Sequence, residues 1–191
     1  MGKNVIFVIS GAGGVGKGTI IRGVINSKKY NLIKGRNITT RKQRHADKKD
    51  IHYQFISKDE FKRKIKKGEI LEYNFLDGEY YGTSKTDIYT LLKNHNILIE
   101  VDVNGGMNIK KQISNAVLIF ITANLKDIKI RIEKRGDTTK HHLEYRMNLA
   151  KQEIEKSKYY DYIVENPEGH PEIAINNVLE IIEKELKKRN N

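Results

Sequence analysis

The 191-residue chain has no cysteine, only two prolines and little arginine, nine residues against 27 lysines. Without cysteine there is no disulfide and no thiolate metal site. No apolar run approaches the ~20 residues of a membrane-spanning helix, so no membrane role is expected. The opening MGKNVIFVIS resembles a signal peptide in having a lysine followed by apolar residues. Glycines, Lys17 and Arg22 follow at once with no cleavage-like site, so the segment reads as a first strand and the compartment as cytosolic. Few prolines, with 38% hydrophobic and 31% charged residues, indicate a globular chain rather than a disordered one. The length suits one domain with room for small insertions. A net charge of +12 raises two readings, a nucleic-acid surface or a site for acidic small molecules. Most of that charge is lysine, in a chain also rich in Ile and Asn, and it reads as a solvated surface with no nucleic-acid partner expected. Because arginine is scarce, each one at a plausible phosphate site weighs more.

Apolar runs at Asn4–Ile9, Ile97–Val103 and Val117–Thr122 read as buried strands, and Tyr162–Val164 as a shorter one. Helical spacing marks Ile20, Ile21, Val24 and Ile25, then Asp59–Lys67, Lys85–Lys93 and Asp127–Lys134. His141–Ser157 has Leu143, Met147, Ala150 and Ile154 on one face, and a final helix runs roughly over Pro171–Lys188. Strands alternating with helices predict an α/β fold with a mainly parallel sheet. Residues 36–84 break the rhythm with short β-like pieces, aromatics and the turn Asp77-Gly78, as an insertion with its own small sheet would. No repeat, low-complexity tract or interdomain linker is present, and no motif specifies an oligomeric state.

Gly11, Gly16 and Lys17 satisfy G-x-x-x-x-G-K between a predicted strand and a predicted helix. Chance supplies that pattern in roughly one sequence in twenty, so its context matters more than its letters. Glycines let backbone N–H groups point at phosphate oxygens, the helix N-terminus adds positive potential, and Lys17 reaches the β and γ phosphates. Gly18 stands where a hydroxyl that contacts Mg²⁺ is usual. Thr19 follows, and Glu100 and Asp102 lie at the end of ILIEVDVNG. Magnesium keeps several waters in such sites and tolerates one protein ligand fewer.

Arg41 and Arg44, in TTRKQR, are forks suited to a doubly charged phosphate monoester. Tyr53 and Tyr80-Tyr81-Gly82-Thr83 offer hydroxyl donors, and Glu72 can accept two N–H bonds from a flat heterocycle such as guanine. Any one of these has an ordinary structural explanation, but together, after a phosphate loop, they point one way. The six histidines show no metal-ligand spacing.

In order along residues 4–185, GAGGVGKGT, TTRKQR, EY, YYGT, EVDVNGG, an arginine-bearing segment and VEN make the chain resemble the guanylate kinase family. The resemblance implies a P-loop NTPase three-layer fold with a parallel core sheet. The core would span about 1–35, 85–126 and 159–191, with an inserted mixed-β GMP-binding region over 36–84 and a helical lid over 127–158. It implies transfer of the γ-phosphoryl of ATP to GMP, with dGMP as a second acceptor and Mg²⁺ as cofactor, a step in guanine nucleotide recycling and synthesis. ATP would lie on Gly11, Ala12, Gly13, Gly14, Val15, Gly16, Lys17, Gly18 and Thr19, with Asn166 touching adenine. Arg41, Arg44, Tyr53 and Tyr81 would bind the GMP phosphate, Glu72 and Thr83 would read guanine, and Asp102 would lie near the metal or the base. Lys17, Arg41, Arg131, Arg135 and Arg146 would stabilise the transferring phosphoryl. Five of the nine arginines fall on matching positions. The chain departs from the family pattern at Ala12-Gly13 (commonly Pro-Ser), Asn37 (a serine that reads guanine), His45-Ala46-Asp47 (Pro-Gly-Glu) and Asn104 (a glutamine). Retention of Lys17 and the arginines argues against a non-catalytic binding module, and Glu72 with YYGT argues against a kinase for sugar phosphates.

Overall fold

The computed structural model describes residues 4–43, 53–134 and 139–190. Five parallel strands form the central sheet in the order β2 (Leu32–Lys34), β7 (Asn96–Glu100), β1 (Ile6–Gly11), β8 (Val117–Thr122), β9 (Tyr162–Glu165). All six residues of β1 are buried, which is why this central strand is written as a continuous apolar run. Alternate residues face opposite sides. Phe7 and Ile9 pack with Ile20 and Val24 of α1 (Lys17–Asn26), Ile128 and Ile132 of α5 (Leu125–Lys134), Ala150 of α6 (Lys140–Glu155) and Val178 of α7 (Pro171–Asn190). Ile6 and Val8 pack on the other side with Ile88 of α3 (Lys85–Leu91) and Ile109 of α4 (Val103–Gln112). The result is three layers, helices on both faces of a parallel sheet, as the α/β expectation requires.

A second sheet has the order β4 (Tyr53–Phe55), β3 (Asn37–Thr39), β6 (Glu79–Ser84), β5 (Ile70–Leu76). It is mixed, with β3 and β4 parallel and the β3–β6 and β5–β6 pairs antiparallel. α2 (Lys58–Lys66) follows β4, with Ser57 accepting from the Glu60 N–H as its cap.

Two differences from the sequence expectations bear on the site. The predicted strand Ile97–Val103 ends at Glu100, and Val103 instead begins α4, a helix that the apolar run conceals. The cause is Asp102, whose Oδ1 accepts the Gly105 N–H at 2.7 Å and caps the helix. The short strand β2 also has no counterpart in the reading; three residues are too few to show a period. Arg44, His45, Ala46, Asp47 and Arg135 lie outside the described residues.

Candidate active site

β1 leads directly into the glycine loop and α1, so the loop sits at the carboxyl end of the parallel sheet, where open α/β sheets bind ligands. Both glycines of the motif are physically required. A Cβ on Gly11 would lie 2.1 Å from the Ile121 carbonyl oxygen, and Gly16 has φ 91° with a Cβ position 2.5 Å from Asn166 Nδ2. Lys17 Nζ donates to the carbonyls of Gly11 at 2.7 Å and Ala12 at 3.2 Å, holding the loop curled around its own ammonium. Thr19 is exposed and its hydroxyl accepts from Arg22 at 3.4 Å.

Asn166 lies beneath this loop, 4% exposed, its Nδ2 donating to the Val15 carbonyl at 2.7 Å. Among the described residues, its Oδ1 is the one buried side-chain atom without a hydrogen-bond partner. An orphaned buried acceptor costs ~1–3 kcal/mol. Arg131 is turned to the same side. It donates to Val15 O at 3.1 Å, Asn166 O at 3.0 Å and Glu168 Oε2 at 2.6 Å, and so braces the back of the loop.

Across the cleft, register in the second sheet gathers residues from three distant segments. Glu72 pairs with Thr83, Thr83 with Asn37, and Asn37 with Tyr53, one row running through all four strands. The register slips by one residue between Ile70 and Glu72, and this bulge brings Glu72 into the row. The Thr83 hydroxyl donates to Glu72 Oε1 at 2.6 Å and lies 3.3 Å from Asn37 Oδ1, while Asn37 Nδ2 donates to the Glu100 carbonyl at 2.6 Å. Glu72 is 7% exposed, and burial pushes its carboxyl up to about 7, against the Thr83 hydrogen bond that lowers it; the charge of Asp102 adds to the rise. Two positions along, Tyr81 meets the Tyr53 ring edge-on at 6.2 Å, and the Arg41 guanidinium lies 5.1 Å from the Tyr53 ring and 5.2 Å from that of Phe55.

A cleft of about 500 Å³ joins the two halves and is lined by Lys17, Arg41, Glu72, Glu100, Asp102 and Arg146 among others. Its two sides therefore carry phosphate-type donors and a base-type acceptor pair within one enclosure. For a hard divalent cation the oxygen donors at hand are Glu100, Asp102 and Thr19. Asp102 already accepts from Gly105 and, through Oδ2, from Asn74 at 3.1 Å. Among the described residues no three carboxylates or histidines gather; the oxygen chemistry of Glu100, Asp102 and Thr19 fits a hard cation that keeps its waters.

The structure thus brings Lys17, Asn37, Arg41, Tyr53, Glu72, Tyr81, Asp102 and Arg146 to one cleft. Thr83 borders it through Glu72, while Arg131 and Asn166 stand behind the loop. Asn104 is exposed and accepts from Lys156 at 2.9 Å. Sequence reasoning missed Asn74, Leu149 and Glu153, which line the same cleft. Helical period was the available signal for two of them, since Leu149 and Glu153 follow Arg146 by three and seven positions.

The guanylate kinase family model matches residues 3–185. The chain is 36% identical over 185 residues to the guanylate kinase of Enterococcus faecalis, covering 96% of this chain and 90% of that protein. It is 34% identical over 189 residues to the guanylate kinase of Fusobacterium nucleatum, covering 98% and 100%. In fold it is similar to the crystal structure of guanylate kinase from Anaplasma phagocytophilum, with a TM-score of 0.72 at 24% identity over 96% of this chain and 86% of that one.

Proposed function

The chain belongs to the guanylate kinase family, and from that premise we propose how its residues carry the γ-phosphoryl of ATP to GMP, giving ADP and GDP. It is an ATP:GMP phosphotransferase. The observation that supports the acceptor most directly is the row Glu72–Thr83–Asn37–Tyr53, which lines up a carboxylate, a hydroxyl, an amide and a phenol across one sheet. Glu72 accepts the N1–H and 2-amino hydrogens of guanine, Thr83 and Asn37 complete the edge, and Arg41, Tyr53 and Tyr81 hold the monophosphate. Arg44 joins them on the strength of the family pattern alone.

ATP lies on the loop from Gly11 to Thr19. The orphaned Oδ1 of Asn166 supports adenine there, because the 6-amino group supplies the donor that this buried acceptor lacks. Mg²⁺, when bound, neutralises charge on the transferring phosphates, and Glu100, Asp102 and Thr19 are the residues that would hold it, directly or through water. The attacking GMP oxygen is already anionic, so no strong general base is needed and catalysis is alignment plus charge stabilisation. Lys17 leaves its two loop carbonyls for the β and γ phosphates, and Arg146 reaches from α6 into the same cleft. Arg131 and Arg135 complete the cation set as residues 127–158 close, an arginine of this kind being worth ~10³ or more in rate. Residues 36–84 form the GMP-binding region, 127–158 the lid, and about 1–35, 85–126 and 159–191 the core. Closure excludes water and limits wasteful hydrolysis of ATP. No described helix is long and apolar enough to cross a membrane, and we place the enzyme in the cytosol with ATP and GMP as its partners and no nucleic acid.

A coupled ADP-release assay with Mg-ATP and each of GMP, dGMP, AMP, CMP, UMP and ribose phosphates tests this reading. Turnover with GMP far above the other bases, dGMP following it, is the expected result. Folded protein that turns over no acceptor would overturn the catalytic assignment.

A further inference from the structure

We propose that Glu153 is a built-in occupant of the donor-phosphate site, a carboxylate that the incoming triphosphate must displace before α6 can follow it. The proposal rests on the reading that the glycine loop holds the donor. The Gly13 N–H, one of the loop donors available to a phosphate oxygen, donates instead to Glu153 Oε2 at 3.3 Å, across 140 positions of sequence. Glu153 lines the same cleft as Lys17, Arg41 and Arg146. Burial raises its carboxyl, the largest influence on it, while Lys17, the Gly13 N–H and Lys156 favour the charge and Asp102 opposes them. The geometric link to the loop is the Gly13 N–H contact, and it is this contact that a phosphate oxygen would contest.

A phosphate oxygen arriving at Gly13 and Lys17 takes both partners at once. Two anions cannot share one N–H donor and one ammonium in a half-buried cleft without repulsion. Glu153 must then leave, and Lys156, three positions on along the chain, already contributes favourably to its charge and is the cation left to receive it. Arg146 lies seven positions before Glu153, two helical turns away on the same side of α6. Displacing the carboxylate frees this helix from the loop and lets the cation on the same stripe approach the phosphates. Glu153 is therefore a positioning residue: it keeps the empty loop in shape and couples arrival of the donor to movement of the helix that bears Arg146.

Isothermal titration calorimetry of ATP, and separately of GMP, on the full chain separates the possibilities. Glu153→Gln keeps the shape but removes the charge, and should bind ATP about fivefold more tightly than the parent while GMP affinity stays unchanged. Glu153→Asp keeps the charge but withdraws it from Gly13, and should shift ATP affinity the same way by less; it also serves if the glutamine variant melts early. Lys17→Ala is the control for the loop. Parent protein that binds ATP, loses it in Lys17→Ala and shows equal or weaker ATP binding in both Glu153 variants would overturn the proposal and leave the loop reading intact. ATP binding untouched by Lys17→Ala would overturn the loop reading itself.

Discussion

The loop and the row of residues opposite it are built on different principles. In the loop, groups suited to phosphate are engaged with the protein: Lys17 with its own carbonyls, the Gly13 N–H with Glu153, Arg131 with Val15, Asn166 and Glu168. Across the cleft, Glu72, Thr83 and Asn37 are already aligned by sheet register and mutual hydrogen bonds. One side must exchange its partners on binding and the other need only accept its ligand. The difference follows from backbone type. A ladder fixes side chains in rows through its backbone pairing, whereas the glycine loop is held in part by Lys17 and Glu153, groups that a phosphate would engage or displace.

Lys17→Ala tests that contrast at its largest. It removes the cation nearest the transferring group and should lower kcat by about 10²–10³-fold, as loss of one preorganised transition-state donor does. GMP affinity, resting on the second sheet, should be unaltered in the same protein. Loss of GMP binding with the lysine would show that the two sides are not built independently.

Glu72→Gln breaks the other side, and its effects on binding and on stability run in opposite directions. Losing a charge-assisted pair to the base should reduce kcat/KM for GMP by about 30-fold and leave other monophosphates little changed. The pH dependence follows from the carboxyl raised to about 7 in the folded chain from an ordinary value of 4.5. A raised folded-state value means that the stability tied to the neutral carboxyl is full below about 4.5 and is lost as pH rises through about 7. Glutamine cannot ionise, so the variant should melt above the parent at pH 8 and level with it near pH 4. GMP, which needs the carboxylate, should bind the parent more weakly as pH falls below about 7. A variant that melts lower than the parent at pH 8 would show that Glu72 is held by contacts that favour its charge.

Much of this was legible in the chain, for reasons that differ by element. β1, β7 and β8 are buried on both faces and so appear as apolar runs. Gly11, Gly16 and Lys17 are legible because the loop's curvature excludes side chains at two of those positions. The end of the β7 run was misread because Val101 and Val103 are both buried and flank Asp102, which looks like strand alternation until its carboxylate is seen capping α4. The burial of Glu72 depends on a one-residue slip in register, which composition does not record. Arg131 was read as facing phosphate, yet the fold first gives it two carbonyls and Glu168, partners brought near by the chain's return at β9. Helical period could place Glu153 on the Arg146 side of α6, but its contact with the Gly13 N–H, 140 residues away, was beyond reach for the same reason.

The smallest expected effect concerns Gly18, where the usual hydroxyl is missing. Space is not the reason. A Cβ there would have only Arg22 Nη1 nearby, at 3.7 Å, and φ is not in the left-handed range. Gly18 and Glu100 share a small cavity of about 200 Å³ with Arg22, Asn37 and Tyr53. A serine hydroxyl placed there would add one hard oxygen on the Glu100 side of the donor set, and magnesium gains from each such ligand. Gly18→Ser should therefore fold normally, lower the Mg²⁺ concentration needed for half-maximal rate by about threefold, and change kcat by less than that. If instead kcat falls sharply at saturating Mg²⁺ with the fold intact, the room beside Gly18 is needed by the substrates, and the loop is less adaptable than its exchangeable hydrogen bonds imply.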